Sequence, residues 1–435
     1  MQLYSTNRQS PPVSLEEALF RGLPPDQGLY LPDTLPVLPE SFFRDMHLLP
    51  FREIAVRVAV ALLGEAVPAN VLREVVYRAI DFDAPVVPVG ETYALELFHG
   101  PSMAFKDFGA RFMAGLMAHF LQQSRREVHI LVATSGDTGG AVAQGFYRAP
   151  GIRVTILYPS GKVSDIQEKQ LTTLGGNVTA LEVEGTFDDC QRLVKEAFLD
   201  PELNQTYTLS SANSINIARL IPQTFYYFYA YAQVRHLGKP LVFSVPSGNF
   251  GNLSAGVIAR RMGLPVHRFI AATNRNRVVP HYLITGDYAP EPSVETISNA
   301  MDVGSPSNFA RLQVLFGNQV DQFRTLLTGA SYDDQQTRSA MRHVYQTTGY
   351  VMCPHTAVAY LGLRDYLATA SQPVTGVFLA TAHPAKFGPT VEAAIGAKVP
   401  LPERLAALLD QPKQSVPMSN RFDDFKAWLT AGHKS

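Results

Sequence analysis

The sequence predicts an α/β protein in which parallel sheets are covered by helices. From about residue 83 onward, apolar runs typical of buried strands alternate with segments that have the apolar period of helices. Turns rich in glycine, serine and threonine follow several of these predicted strands. The chain has 435 residues, which is enough for roughly two or three cores of about 100–200 residues each.

The first 90 residues are predicted to form a separate, mostly helical domain. Residues 51–63 and 71–80 repeat apolar positions at helical spacing. Turns in the preceding segment are marked by Pro24, Pro25, Pro32 and Pro36.

The βα alternation then predicts the elements in order. Strands are expected at residues 93–98, 128–133, 152–158, 178–183, 241–245, 269–273 and 376–380. Helices are expected after Lys106 and through Tyr147, and at residues 165–174, 187–198, 215–234 and 253–262. Because the carboxyl ends of parallel strands meet at one edge of a sheet, the turns after these strands are the candidates for a site.

The composition excludes several classes of protein. Lys and Arg total 37 against 38 Asp and Glu, so the net charge of −1 gives no general attraction to nucleic acid or anionic lipid. Cys190 and Cys353 are the two cysteines; they cannot form a disulfide scaffold or a closely spaced zinc site, and we expect a packed thiol at Cys190. No secretion or membrane-spanning segment is recognisable, which predicts a cytoplasmic protein.

Lys106 has the setting of a lysine that binds a carbonyl cofactor. It follows a Gly100-Pro101 turn, lies between Phe105 and Asp107, and precedes a helical pattern. An amine forms a Schiff base only when it is unprotonated, and desolvation beside Phe105 would lower the lysine pKa from its usual value of about 10.4. The alternative is a solvated Lys-Asp ion pair at the start of a helix.

Residues 247–252 have the composition of a phosphate-binding loop. They are Ser247, Gly248, Asn249, Phe250, Gly251 and Asn252. Glycines let the backbone approach an anion, and the N–H groups at the start of the following helix point towards it. Neither a P-loop nor a dinucleotide fingerprint is present, and a plain glycine-rich turn is the alternative.

Two further segments offer groups for anions. The turn at residues 134–140 is small, rich in hydroxyls and placed at a helix start, which suits a carboxylate; the alternative is a capping turn with Asp137 or Thr138 as N-cap. Residues 213–219 contribute amides, a hydroxyl and the forked guanidinium of Arg219, which suits a phosphate. The alternative for Arg219 is a surface or ion-pair residue.

Five ordered motifs together resemble those of bacterial threonine synthases. They lie at residues 99–109, 135–139, 213–219, 245–252 and 380–387, and the segments at 27–32 and 298–304 match as well. The resemblance implies a two-lobed pyridoxal phosphate enzyme of fold type II. Residues 91–125 and 216–435 would form its large lobe, and residues 126–215 its small lobe.

The resemblance also implies roles for individual residues. Lys106 would bind the cofactor aldehyde, and residues 247–252 its phosphate. Asp137 would face the ring oxygen, and Thr381 would present a neutral hydroxyl to the pyridine nitrogen. The substrate carboxylate would be bound by Ser135, Gly136 and Thr138. The substrate phosphate would be bound by Ser214, Asn216, Arg219 and Lys386. For Lys386, a solvated side chain is the alternative.

The activity that the resemblance implies is conversion of O-phospho-L-homoserine and water to L-threonine and phosphate, with Lys106 as the base. O-phospho-L-homoserine would be the small-molecule partner of the protein. The protein would be a monomer or homodimer and would bind no metal. A serine or threonine dehydratase is disfavoured because its substrate has no phosphate for Arg219, and a catalytically silent relative is the other alternative. The chain departs from the pattern at Cys353, where relatives tend to show an acid; we expect His355 to be a buried structural histidine.

Overall fold

The computed structural model describes residues 1–124, 127–134 and 136–431. Its strands are β1 (Leu3–Ser5), β2 (Tyr30–Pro32), β3 (Val86–Val89), β4 (Thr92–Glu96), β5 (Val128–Ala133), β6 (Ile152–Pro159), β7 (Val178–Val183), β8 (Thr208–Ser211), β9 (Leu241–Pro246), β10 (Val266–Thr273), β11 (Leu327–Ser331), β12 (Thr375–Ala380) and β13 (Ser415–Met418). Its α-helices are α1 (Leu15–Arg21), α2 (Glu40–Asp45), α3 (Phe51–Leu63), α4 (Ala69–Ala79), α5 (Lys106–Ser124), α6 (Asp137–Phe146), α7 (Asp165–Thr172), α8 (Phe187–Leu199), α9 (Pro201–Thr206), α10 (Ile217–Leu220), α11 (Gln223–Val234), α12 (Gly251–Arg261), α13 (Val278–Thr285), α14 (Phe309–Leu315), α15 (Val320–Leu326), α16 (Asp334–Thr348), α17 (Pro354–Thr369), α18 (Gly388–Ile395), α19 (Glu403–Leu409) and α20 (Phe422–Thr430). Within the described residues, no helix is both long and apolar enough to cross a membrane.

One compact unit is built around a six-stranded sheet and comprises Met1, Leu31–Phe105 and Leu220–Pro400. Its strand order is β11-β10-β9-β12-β4-β3, and every neighbouring pair is parallel except β3 with β4. All residues of β9 and β12 are buried, as expected for a parallel sheet with helices on both faces.

The second unit comprises Gln2–Tyr30, Lys106–Arg219 and Leu401–Ser435. Its five-stranded sheet has the order β13-β7-β6-β5-β8 and is wholly parallel. Cys190 on α8 lies in its core, and burial raises the pKa of this thiol to about 12. The predicted packed thiol is therefore confirmed, as is the predicted α/β class with parallel sheets.

Most predicted elements have close bounds, but one predicted helix is wrong. β5, β7 and α3 have the residues that the sequence pattern predicted. The single helix predicted at residues 215–234 is interrupted, because α10 ends at Leu220 and α11 begins at Gln223 with Pro222 as its N-cap. Proline has no N–H to continue the helical hydrogen bonds, and its ring clashes with the preceding turn.

The compact units follow other boundaries than the sequence pattern suggested. Gln2–Tyr30 groups with one unit and Leu31–Phe105 with the other, so the first 90 residues do not group together. A helical N-terminal domain at residues 1–90, a large lobe at 91–125 and 216–435, and a small lobe at 126–215 remain a proposal.

The six-stranded sheet brings three strand ends together at one edge. β12 pairs in parallel with both β9 and β4, and its Phe378 and Ala380 lie opposite Ser244 and Glu96. The segments that follow these three strands therefore leave the same edge of the sheet. They contain residues 247–252, Thr381 and the approach to Lys106.

Candidate active site

Residues 247–252, named here the cradle loop, join β9 to α12. The Ser247 N–H donates to the Ala272 carbonyl at 2.8 Å, which ties the start of the loop to β10. Phe250 has a φ of 62°, in the left-handed region, and α12 begins at the next residue. The first N–H groups of α12 follow this sharp turn and, as at any helix start, have no acceptor within the helix.

Gly248 lies where no side chain fits. A Cβ there would be 2.7 Å from the Met301 Cα and 2.8 Å from the Ala300 carbonyl oxygen, and both of these are backbone atoms. The glycine thus allows residues 300–301 to pack directly on the cradle loop.

Residues 300–301 are held by polar contacts on both sides. The Ala300 N–H donates to His355 Nε2 at 3.2 Å. The Asp302 carboxylate accepts hydrogen bonds from Asn274 Nδ2 and Thr296 Oγ1, each at 2.7 Å. These contacts fix the segment that covers Gly248, and they give the motif at residues 298–304 a structural role.

Asn252 is buried and its side-chain amide is held by one end. Its Oδ1 accepts hydrogen bonds from the hydroxyls of Tyr226 at 2.8 Å and Tyr227 at 2.7 Å. Its Nδ2 has no hydrogen-bond partner among the described residues. A buried amide donor without an acceptor costs about 1–3 kcal/mol, so this nitrogen suits a bound acceptor.

Asn249 is the second amide of the cradle loop. Its Oδ1 accepts hydrogen bonds from the Ser307 N–H at 2.6 Å and the Ser307 hydroxyl at 2.8 Å. Because a backbone N–H can only donate, these contacts fix which end of the Asn249 amide faces Ser307.

The segment before Lys106 runs along the end of β12. The Leu97 N–H donates to the Ala380 carbonyl and the Phe105 N–H to the Thr381 carbonyl, both at 2.9 Å. Phe105 directly precedes Lys106, so the predicted lysine begins α5 one residue from the contact with Thr381. Lys106 itself is neither fully buried nor exposed.

Lys386 is buried rather than solvated. It lies in the short 3-10 helix Pro384–Phe387, its side chain is 1% exposed, and its Nζ donates to the Ser102 carbonyl at 2.7 Å. The solvated-lysine alternative is therefore wrong.

In the second unit, the turn at residues 134–140, named here the hydroxyl turn, joins β5 to α6. The Thr134 hydroxyl oxygen accepts hydrogen bonds from the N–H groups of Gly136 at 3.0 Å and Gly139 at 2.8 Å. Gly136 is the N-cap of α6, so neither Asp137 nor Thr138 caps this helix as the capping alternative assumed. Ser135 lies outside the described residues.

Asp137 is buried in this turn, and Gln167 of α7 donates to its carboxylate, with 3.0 Å between Gln167 Nε2 and Asp137 Oδ1. Thr138 is partly buried. A Cβ at Gly136, whose φ is 137°, would lie 2.5 Å from the Gln167 side chain. The close approach of Gln167 thus depends on glycine at this position.

Arg219 is also buried, at 3% exposure, which rules out a surface position. Its Nη1 donates to the Ala212 carbonyl. Burial lowers the pKa of its guanidinium to about 10, and the Asp107 charge opposes that shift. Asp107 is itself fully buried, so a solvated Lys-Asp pair at the start of α5 is wrong as well.

Asn216 and Ser214 lie in the loop before α10. The Asn216 side-chain nitrogen donates to the carbonyls of Leu19 at 2.9 Å and Ser211 at 3.2 Å, so this amide already anchors α1. Ser214 is partly buried. Asn213, which belongs to the predicted anion-binding segment but was given no individual role, has a buried Oδ1 without a hydrogen-bond partner among the described residues.

The described residues contain no group of three His, Cys, Asp or Glu side chains that could hold a metal ion. His355 is 4% exposed, which confirms the predicted buried histidine. Cys353 has its Sγ 3.9 Å from His355 Nδ1 and 3.2 Å from Thr356 Oγ1.

Known proteins resemble this chain over its whole length. A family model described as pyridoxal-phosphate dependent enzyme matches residues 85–381. Models of the threonine synthase N terminus and C-terminal region match residues 2–80 and 356–428. The threonine synthase of Serratia marcescens is 45% identical over 431 residues, which cover 99% of both chains. The chain belongs to the threonine synthase family.

Solved structures of threonine synthases have the same fold. The Escherichia coli crystal structure has a TM-score of 0.92 and 45% identity, with 100% of both chains covered. The structure titled as PLP-bound threonine synthase from Brucella melitensis has a TM-score of 0.93 and 34% identity at the same coverage. The predicted resemblance and the predicted pyridoxal phosphate dependence are therefore confirmed.

The cradle loop of this threonine synthase family member fits a phosphate group. It presents the first N–H groups of α12, the Asn252 Nδ2, which has no partner in the described part of the chain, and a Gly248 position without room for a side chain. Lys106, Thr381 and this loop all follow strands that end at one sheet edge. The role of each residue remains a prediction.

The structure adds two residues that the sequence reasoning missed, Tyr226 and Tyr227. They lie on α11, far in sequence from the Asn252 that they contact. The only available signal was the unusual aromatic density of residues 225–231, which reads equally well as a helix packed in a core.

Proposed function

We propose that this chain converts O-phospho-L-homoserine and water to L-threonine and phosphate in the cytoplasm, with pyridoxal phosphate as cofactor. The observation that carries the proposal is the edge of the six-stranded sheet. There the cradle loop leaves β9, and Thr381 follows β12 and accepts a hydrogen bond from the residue before Lys106. Membership of the threonine synthase family supports the same reaction.

The cofactor side of the proposal assigns one task to each residue. When bound, pyridoxal phosphate supplies an aldehyde for the amine and a ring that delocalises carbanion charge. Lys106 Nζ would bind the aldehyde, and the cradle loop would bind the phosphate through peptide N–H groups and Asn252 Nδ2. Thr381 would place its hydroxyl next to the pyridine nitrogen. A neutral hydroxyl, unlike a carboxylate, does not stabilise a proton on that nitrogen. Asp137, held by Gln167, would face the ring oxygen.

Lys106 would also move the protons of the reaction. Its amine would remove one proton from Cα and one from Cβ, so that phosphate leaves from Cγ, and it would return protons to Cγ and Cα. The hydroxyl of water would add at Cβ, and the remaining water proton would leave with the phosphate, which gives threonine. A positioned base of this kind contributes about 10²–10⁴-fold to the rate.

The substrate side of the proposal rests on small groups and buried cations. The carboxylate would be bound by the hydroxyl turn through Ser135, Gly136 and Thr138. The substrate phosphate would be bound by Ser214, Asn216, Arg219 and Lys386, and Asn216 would have to release one of the two carbonyls that its side-chain nitrogen binds. Arg219 and Lys386 are almost fully buried, and buried cations are stabilised by anions, which supports this assignment.

Phosphate release from O-phospho-L-homoserine by the purified protein tests the proposal. We expect Lys106→Ala to lower turnover by at least about 10³-fold. Lys162→Ala, which removes an exposed lysine, is the matched control and should leave turnover unchanged. Equal turnover in wild type and Lys106→Ala would contradict the role of Lys106. Turnover of threonine but not of phosphohomoserine would favour a dehydratase. Cofactor binding without turnover of either compound would favour a catalytically silent relative.

A further inference from the structure

We propose that Tyr226 and Tyr227 are positioning residues for the cofactor phosphate, acting through Asn252. By holding the Asn252 amide oxygen, the two hydroxyls would fix the first turn of α12, whose N–H groups face the phosphate. The inference rests on the proposed assignment of the cradle loop as the phosphate site.

The two hydroxyls converge on one atom. Their oxygens lie 2.8 and 2.7 Å from Asn252 Oδ1, and the two rings are 5.1 Å apart between centroids. Burial raises the pKa of both phenols well above the usual value, so both remain protonated and able to donate. With its oxygen facing the tyrosines, the Asn252 amide directs its nitrogen to the other side.

Tyr227 also contacts the backbone of the same residue. Its hydroxyl lies 3.2 Å from the Asn252 carbonyl oxygen. Further along α12, a Cβ at Gly256 would be 3.0 Å from the Tyr227 Cζ, so this helix packs closely on the ring. Tyr227 therefore constrains α12 through both a hydrogen bond and packing.

Packing alone does not require these hydroxyls. Phe225 and Phe228 flank the pair on α11 and are fully buried without any polar atom on the ring. Burying a hydroxyl costs free energy unless it is hydrogen-bonded, and both tyrosine hydroxyls bond to the cradle loop residue Asn252. The Tyr226 hydroxyl also lies 3.3 Å from Gln223 Oε1 on the same helix, but the shortest contact of each hydroxyl is with Asn252 in the loop.

Comparing two probes separates phosphate positioning from general stability. Apoenzyme of wild type, Tyr226→Phe, Tyr227→Phe and the double variant would be titrated with pyridoxal phosphate and with pyridoxal, which lacks the phosphate. We expect the double variant to bind pyridoxal phosphate about 10-fold or more weakly, since two hydrogen bonds are lost. Its affinity for pyridoxal should stay within about two-fold of wild type, and the ³¹P signal of the bound cofactor should shift.

Tyr231→Phe removes a partly buried hydroxyl from the same helix and is the matched control, with both affinities unchanged. Equal weakening for both probes, or an unchanged pyridoxal phosphate affinity in a folded variant, would overturn the inference. The single variants carry the test if the double variant fails to fold. Gly248→Ala tests the cradle loop itself. If the tyrosine variants and Gly248→Ala all leave the ratio of the pyridoxal phosphate and pyridoxal affinities unchanged, the assignment of the cradle loop to the phosphate is wrong. If Gly248→Ala changes this ratio and the tyrosine variants do not, only the role of the tyrosines is wrong.

Discussion

The cradle loop and the hydroxyl turn have similar sequences but use their backbone donors differently. Each follows a buried parallel strand, is rich in glycine and begins a helix. In the hydroxyl turn, the Thr134 hydroxyl oxygen accepts hydrogen bonds from two of the backbone N–H groups. In the cradle loop, no side chain caps α12 among the described residues, and the Asn252 Nδ2 has no acceptor there.

The difference shows what makes a glycine-rich turn an anion site. A helix start binds an anion strongly only if its N–H groups have no internal acceptor, because an existing hydrogen bond must otherwise be broken. In the cradle loop, no side chain of the described residues caps α12, so the condition holds there for side-chain acceptors. The hydroxyl turn meets it only in part, and a carboxylate there would have to use N–H groups or hydroxyls other than those that Thr134 engages.

Gly248→Ala should give the largest contrast between the two turns. The added Cβ would collide with the backbone of residues 300–301, and overpacking of this kind costs about 1–3 kcal/mol. We expect pyridoxal phosphate affinity, measured by absorbance titration of the apoenzyme, to fall by about 10- to 100-fold. Gly140→Ala in the hydroxyl turn is the control, since its Cβ would lie 3.3 Å from the Gln170 Cβ. Equal cofactor affinities in the two variants would remove the contrast.

Local pattern was enough to predict the inner strands of both large sheets, whereas the edge strands β3, β8, β11 and β13 were not predicted. β5, β7 and β9 are mostly apolar, and the ends of β5 and β9 place the two turns at sheet edges. The break at Pro222 was also readable in principle, because proline interrupts the hydrogen-bond pattern of a helix.

Contacts between distant segments could not be predicted in the same way. Tyr227 binds Asn252 and Ser307 binds Asn249, and nothing within one helical or strand period connects these pairs. The same limit applies to Arg219, whose burial depends on packing against the segment around Asp107 and Gly109. Sequence pattern identified the donors, whereas only the fold shows which of them are already engaged.

Thr134→Val tests the other side of the comparison through stability. Valine has the shape of threonine but cannot accept a hydrogen bond, so the Gly136 and Gly139 N–H groups would lose their acceptor. We expect the free energy of unfolding of the apoenzyme to fall by about 1–3 kcal/mol. Thr134→Ser retains the hydroxyl and should keep most of the stability. A Thr134→Val variant as stable as wild type would mean that these N–H groups do not depend on the hydroxyl.

The smallest expected effect concerns His129 on β5, the strand that leads into the hydroxyl turn. Burial, with a smaller effect from Arg153, lowers the pKa of His129 to about 4, and its Nε2 lies 2.8 Å from Thr155 Oγ1. Below pH 6.5 the unfolded chain takes up a proton that the folded chain does not. Stability is therefore lost as pH falls from 6.5 towards 4, by on the order of 1 kcal/mol between pH 6.5 and 5.5.

His129→Gln should remove this part of the acid sensitivity. We expect the drop in melting temperature between pH 7 and pH 5.5 to be smaller in this variant than in wild type. His267→Gln replaces an exposed histidine and is the control, with the wild-type drop retained. His383, which follows β12 in the other unit and whose pKa burial also lowers to about 4, would keep its own contribution. If the melting temperature of His129→Gln falls as much as that of wild type, the acid sensitivity comes from titratable groups other than His129.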